Sequence, residues 1–223
     1  VNGLDGPKAL NNPESSAQGA ASGRFVALQD ISPAMLGAVI TTEDSEFLNH
    51  NGVNWQSLMF AFQINLEAGE ILSGGSTIPM QLAKNLFLDQ SRILSRKLQE
   101  LALVALMNLA GDVSRARILE IYLNVIELGP GIYGIREAAD VYFGVHPRQM
   151  SPEQAVWLAS IIKSPRRFWI HARDGEVPEP WLREMANFLR IMYVRGRISV
   201  EDYKRSAGVQ PEFAEWPLFN SDP

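Results

Sequence analysis

Helix punctuation runs along most of this chain and constrains its fold more than any other feature. Ser32-Pro33 places an N-cap before a proline at the first helical position, ahead of the apolar run through Met35, Leu36, Val39 and Ile40. A second helix is expected over "NWQSLMFAFQINLEAG", stopped by Gly69. A third begins near "STIPMQLAKNLFL", where Pro79 fits only in the first turn. A long one follows Ser91 to about Ala110. Ser114 caps "RARILEIYLNVI", "IREAADVYFG" ends at Gly144, and Ser151-Pro152-Glu153 opens a helix that Pro165 stops. Two more are expected near 180–195 and 199–207, with Ser199 and Asp202 as a capping pair. No segment alternates convincingly as a strand, "GPGIYG" reads as a loop, and "RFVALQDIS" as a short extended entry. The expectation is a mainly α protein.

Residues 1–23 carry Gly, Ala, Ser, Asn and Pro without an apolar period and read as a linker or tail. The chain begins at Val1, which suggests a piece cut from a longer protein. No apolar run is long enough to span a membrane. The net charge of -5 argues against nucleic acid as a partner, and the absence of cysteine removes disulfide and thiolate chemistry. His50, His146 and His171 are far apart and give no zinc pattern.

Against that background, "ITTEDSEFLNHNG" breaks a rule. Glu43, Asp44 and Glu46 crowd the C-terminal end of an apolar helix, where the backbone dipole prefers cations. A solvated helix end is the plain reading. However, a carboxylate between apolar walls and a helix C-terminus has its pKa raised, as a general base near neutral pH requires. The pattern does not choose among the three acids.

In "SGGSTIPMQLAKNLFL", Gly74-Gly75 gives a turn and Ser76-Thr77 opens a helix whose exposed N–H groups suit an anion. Gln81, Lys84 and Asn85 share overlapping faces of that helix. A capped amphipathic helix explains the same spacing equally well. Between residues 84 and 117 six bases, among them Arg92 and Arg96, face three acids, a local excess of +3 in an acidic chain. Such a patch suits phosphate or pyrophosphate. Glu100, four residues after Arg96, reads on spacing alone as a surface ion-pair partner. The helix at "WQSLMFAFQINL" is apolar nearly all round, which fits the core or a membrane surface, the core being commoner. Ser160-Ile-Ile-Lys163 matches the Ser-x-x-Lys of penicillin-binding transpeptidases, but the companion motifs are missing and its helix reads as core.

In this order, "EDSEFLNHNG", "GGSTIPMQLAKNLFL", "RKLQE", "RILEIYLNVIELGPGIYGI" and "EAADVYFG" resemble the five motifs of the peptidoglycan glycosyltransferase family, over roughly residues 25–170. The resemblance implies a lysozyme-like helical lobe with a smaller membrane-proximal jaw, near which the helix at 54–69 would belong. A glycosyltransferase domain is accordingly expected at 24–172; residues 173–223, which lie beyond the resemblance, are expected to form a C-terminal helical extension packed on the same domain. It implies polymerisation of lipid II into β-1,4 glycan strands with inversion and release of polyprenyl pyrophosphate. Glu43 would be the general base, and Glu100 the second carboxylate, at the donor. Ser76, Gln81, Lys84, Asn85, Arg92 and Arg96 match positions along the substrate cleft. Asp44 becomes a structural partner and Glu46 an exposed, variable position.

No cofactor is required by this chemistry, though a divalent cation such as Mg is compatible with the pyrophosphate. The implied partners are lipid II, the growing glycan strand, the membrane surface and other cell-wall synthesis proteins. The implied location is the outer, periplasmic face of the bacterial cytoplasmic membrane, with the anchor outside this chain. Pro79-Met80, Ser45 and Val145 depart from the family pattern, and Met80 removes a polar side chain from a position expected at the cleft. A lysozyme-like glycan-cleaving enzyme, or a weakly active lipid II-binding scaffold, are the alternatives.

Overall fold

A computed structural model describes residues 25–70, 74–87, 94–109 and 113–215; the tail expected at 1–23 lies outside them. The described residues are mainly α. In chain order the elements are α1 (Pro33–Glu43), α2 (Trp55–Ala68), α3 (Ile78–Phe87), α4 (Leu94–Leu109) and α5 (Arg115–Val125). A hairpin of β1 (Glu127–Gly129) and β2 (Ile132–Tyr133) follows, then α6 (Ile135–Phe143) and α7 (Pro152–Ile161). The remaining helices among the described residues are α8 (Pro165–Phe168), α9 (Ile170–Asp174), α10 (Glu179–Val194) and α11 (Val200–Ser206).

The core is built around α7. Every residue of this helix except Glu153 in its first turn is buried, as an apolar helix without a polar face must be. Ser151 caps it by accepting from Gln154 N–H, and the Gln154 side chain accepts from Ser151 N–H in return. α1 lies along α7, and α10 packs against both. Trp157, at the centre of α7, makes edge contacts with Tyr142, Phe143 and Phe213, so residues from beyond α11 help close the core.

The caps read from the sequence form as expected: Ser32 accepts from Met35 N–H, Ser114 from Arg117 N–H and Ser199 from Asp202 N–H. Asn54, which was not among them, caps α2 by accepting from Ser57 N–H. Gly69 and Gly144 close their helices in the left-handed region. Pro79 sits in the first turn of α3.

Three expectations need correction. The "GPGIYG" loop is the bend of an antiparallel hairpin, in which Glu127 pairs with Tyr133 and Gly129 with Ile132. Strands of three and two residues are too short to show alternation. Pro165 does not stop α7, which ends at Ile161; it opens α8 as its first residue. The entry segment winds into a 3-10 turn at Leu28–Asp30 rather than staying extended.

Of the two readings that the composition of α2 allows, core or membrane surface, the commoner one does not hold: Ala61 is its only buried residue. Trp55, Met59, Phe60 and Phe62 are each 63% exposed and Leu66 is 71% exposed. Trp55, Met59, Phe62 and Leu66 follow one another at four, three and four residues and so form one stripe. Gly75 lets the chain entering α3 approach α2 closely: a Cβ there would stand 2.7 Å from the Leu58 Cα. No described helix is long and apolar enough to cross a membrane.

Candidate active site

Glu43 is the last residue of α1, half-buried, and its surroundings separate it from the two other acids. Asp44 is buried and fully committed to structure. Its carboxylate lies 2.8 and 3.0 Å from His50 Nε2 and accepts from Ile78 N–H at 3.1 Å. It therefore fastens the loop after α1 to the first turn of α3, an anion at a helix N-terminus. His50 Nδ1 in turn accepts from Gly52 N–H. The Thr77 hydroxyl donates to Gly52 O. Phe47 is buried beneath this loop with the Arg115 guanidinium over its ring. Glu46 accepts from Asn49 and Arg195. The hydrogen bond from Asn49, followed by that from Arg195, holds its carboxyl below the usual glutamate range.

Glu43 faces the other way, toward α3. Gln81 Nε2 donates to its carboxylate at 2.9 Å, and the buried Tyr122 hydroxyl of α5 donates to Gln81 Oε1 at 2.9 Å. The tyrosine fixes which face of the amide meets Glu43. Burial raises the Glu43 pKa. The Gln81 hydrogen bond and the positive fields of Lys163 and Lys84 oppose that rise, and Asp44 adds to it. The same burial, with the charges of Glu43 and Asp44, pushes Tyr122 well above its ordinary value, so its proton stays in place. The arrangement is a carboxylate whose pKa is raised by burial and which lies within the positive fields of Lys163 and Lys84.

Lys84 and Asn85 follow Gln81 on α3, Asn85 exposed and Lys84 half-buried; Ser76 precedes the helix and is half-buried. Glu100 is only 3% exposed. It lies one turn before Val104, which packs with Met80 and Ala83, so Glu100 shares the stripe of α4 that faces α3. A solvated surface pair is therefore the wrong description of Glu100. Arg92 lies outside the described residues, as does the side chain of Arg96.

Two further expectations change. The first-turn N–H groups of α3 are not open to an outside anion: Ile78 N–H goes to Asp44 and Met80 N–H to the Thr77 hydroxyl. Met80 is fully buried against Ala83 and Val104, so the departure at Pro79-Met80 alters packing and not the lining of a cleft. Ser160 is structural, as its sequence context implied. Its hydroxyl donates to Trp157 O and accepts from Trp181 Nε1.

Tyr122 and Lys163 were not singled out as site residues. Tyr122 sits in "EIYLNV" with the spacing of a core aromatic, and nothing local marks it as the support of a glutamine 41 residues away. Among the described residues no three His, Asp or Glu side chains converge to hold a metal. A cavity of about 680 Å³ opens at the opposite end of α1, beside Ser32, Arg148 and Arg205, and none of the expected site residues line it.

Comparison with known proteins gives one family. Residues 11–192 match the family model described as Transglycosylase. A protein of Nitrosomonas eutropha named biosynthetic peptidoglycan transglycosylase is 47% identical over 151 residues, covering 68% of this chain and 61% of that protein. Proteins of the same name from Nitrosospira multiformis and Alcanivorax borkumensis are 40% and 38% identical. They cover 79% and 84% of this chain, and 74% and 77% of their own lengths.

Proposed function

Because the chain belongs to the transglycosylase family, we propose that it polymerises lipid II into β-1,4 glycan strands, with Glu43 as general base. The observation that carries this reading is the Glu43 carboxylate itself, raised in pKa by burial and held at 2.9 Å by Gln81. The acceptor's 4-hydroxyl gives its proton to Glu43. Its oxygen forms the new bond to the donor's C1 from the face opposite the leaving group. The C1–O bond breaks with its electron pair going to the pyrophosphate, so the anomeric centre inverts. A base whose pKa lies closer to neutrality takes that proton with less penalty than an ordinary glutamate.

The departing pyrophosphate carries the remaining difficulty, which is negative charge. Lys84, Arg92 and Arg96 would meet it as fixed cations, with Ser76 and Asn85 as polar contacts. Glu100 would orient the donor side of the cleft. Lys163 adds positive field at Glu43. If a divalent cation such as Mg takes part, it would meet the phosphates rather than a cage of side chains, and no step above needs it.

The lipid tail of such a substrate lies in a bilayer. The exposed Trp55, Met59, Phe62 and Leu66 stripe of α2 supports contact with the outer leaflet of the cytoplasmic membrane. Incubation of the protein with labelled lipid II in detergent tests the reading. Long glycan polymer is the expected product. Shortened chains from finished peptidoglycan would instead indicate a cleaving enzyme, and lipid II binding without product a scaffold.

A further inference from the structure

The helix that ends in Glu43 lacks what a helix C-terminus ordinarily carries: no basic residue occupies its last turn. The cation comes from the far end of the chain. Arg197 Nη1 donates to the Thr41 hydroxyl at 2.6 Å and Arg197 Nη2 donates to Ser45 O at 3.0 Å. Thr41 and Ser45 are the residues two before and two after Glu43. A single guanidinium therefore spans the Glu43 position, bonded to a side-chain hydroxyl before it and a backbone carbonyl after it. The Thr41 hydroxyl in turn donates to Gly37 O at 2.6 Å, so the tie reaches one turn back into α1.

The arginine is itself held rigidly. Gly196, in the left-handed region, ends α10. Its N–H donates to Tyr193 O and the Arg197 N–H donates to Met192 O, the two bonds of a Schellman motif. The turn rests directly on α1 at Gly37, where an added Cβ would stand 3.0 Å from the Arg197 Cβ and 3.3 Å from the Met192 Cε. Beside it, Arg195 Nη1 donates to Glu46 at 3.1 Å. Two cations of one turn thus meet the loop after Glu43, and none of their contacts is to Glu43 itself.

We infer that Arg197 is a positioning residue: the guanidinium clamps Thr41 to Ser45 and so sets the direction in which the Glu43 carboxylate leaves α1. The inference rests on the proposed role of Glu43 as base. It assigns to the C-terminal helical segment a part in the reaction that its sequence alone does not suggest. A guanidinium suits the task because its planar fork reaches two acceptors at once, whereas an ammonium is a single point.

The test uses the whole protein, lipid II in detergent, and initial rates resolved into kcat and KM. Arg197→Met keeps the aliphatic stem against Gly37 and removes both hydrogen bonds. It is expected to lower kcat by about tenfold or more, as small misplacements of catalytic groups do, with KM changed by less than about twofold. Arg197→Lys is expected to recover part of the loss. Arg190→Ala, on the exposed face of α10, is expected to leave both constants unchanged. Wild-type kcat in Arg197→Met overturns the inference. So does an equal loss in the Met and Lys variants accompanied by a fall in melting temperature, which would mark a merely structural arginine. Should Arg197→Met not fold, Thr41→Val decides, since it removes the same bond from the α1 side; reduced kcat supports the clamp and wild-type kcat overturns it. Glu43→Gln is measured alongside. If that variant still polymerises lipid II, the base assignment fails, whereas an inactive Glu43→Gln with an unaffected Arg197→Met sinks the clamp alone.

Discussion

Gln81 donates its side-chain amide to the Glu43 carboxylate at 2.9 Å, and this is the direct contact that draws the end of α1 and the middle of α3 into one site. A hydrogen bond to the ionised form of an acid lowers its pKa, and here it works against burial. The outcome is a carboxylate whose pKa stands above the ordinary glutamate value because burial outweighs the contacts that oppose it.

Removing that bond has a predictable sign. In Gln81→Leu the burial of Glu43 is less opposed, so its pKa rises further. The acid limb of kcat/KM is expected to move to higher pH, with reduced activity at pH 7. Initial rates across pH 5–8 read this directly (an approximate window around the midpoint of general-base catalysis), and a limb that stays in place would show that Glu43 does not titrate there.

The same pKa has a consequence for stability. The folded state holds the Glu43 proton more tightly than the unfolded chain does. Stability contributed by this group is therefore present below the ordinary glutamate pKa and lost as pH rises through the raised one. Glu43→Gln, which keeps an oxygen to accept from Gln81, is expected to raise the melting temperature at pH 7 while removing activity. A melting temperature at or below that of the parent protein at pH 7 would mean that burial does not penalise the charge.

The stripe on α2 predicts a separable loss. Phe62→Ser with Leu66→Ser removes two exposed apolar side chains, each worth about 1.5–3 kcal/mol when fully buried. Sedimentation with phospholipid vesicles is expected to show at least about tenfold weaker binding, with the melting temperature little changed because neither side chain is in the core.

Ser160→Ala separates fold from chemistry at the Ser-x-x-Lys sequence. Trp181 Nε1 would lose its acceptor, at a cost of about 1 kcal/mol. Lipid II polymerisation is expected to continue, and a β-lactam is expected to leave Ser160 unmodified by mass spectrometry. Acylation of Ser160 would contradict its assignment as a structural hydroxyl.

The helices were legible because their caps are local chemistry: a serine or asparagine accepts an N–H within three residues, and a glycine supplies a left-handed turn at the end. The same locality explains Gln81, Lys84 and Asn85, whose spacing alone puts them on neighbouring faces of α3. The rest required tertiary contact. Arg197 reaches Thr41 from 156 positions away, and Tyr122 reaches Gln81 from 41. Glu100 has the spacing of a surface partner for Arg96, and only the packing of α4 on α3 removes it from water. α2 shows the converse limit. Its composition is that of a core helix, and whether neighbours cover it is a property of the fold. The crowd of acids after α1 is likewise resolved by distance: Asp44 caps α3, Glu46 meets Arg195, and Glu43 alone turns toward Gln81.

The central claim is that Glu43 carries the chemistry rather than the binding. Lipid II binding and glycan polymerisation measured side by side for the parent protein and Glu43→Gln test it most directly. The account predicts that the variant binds lipid II with unchanged affinity and forms no polymer. Polymerisation at the parent rate by Glu43→Gln would contradict it.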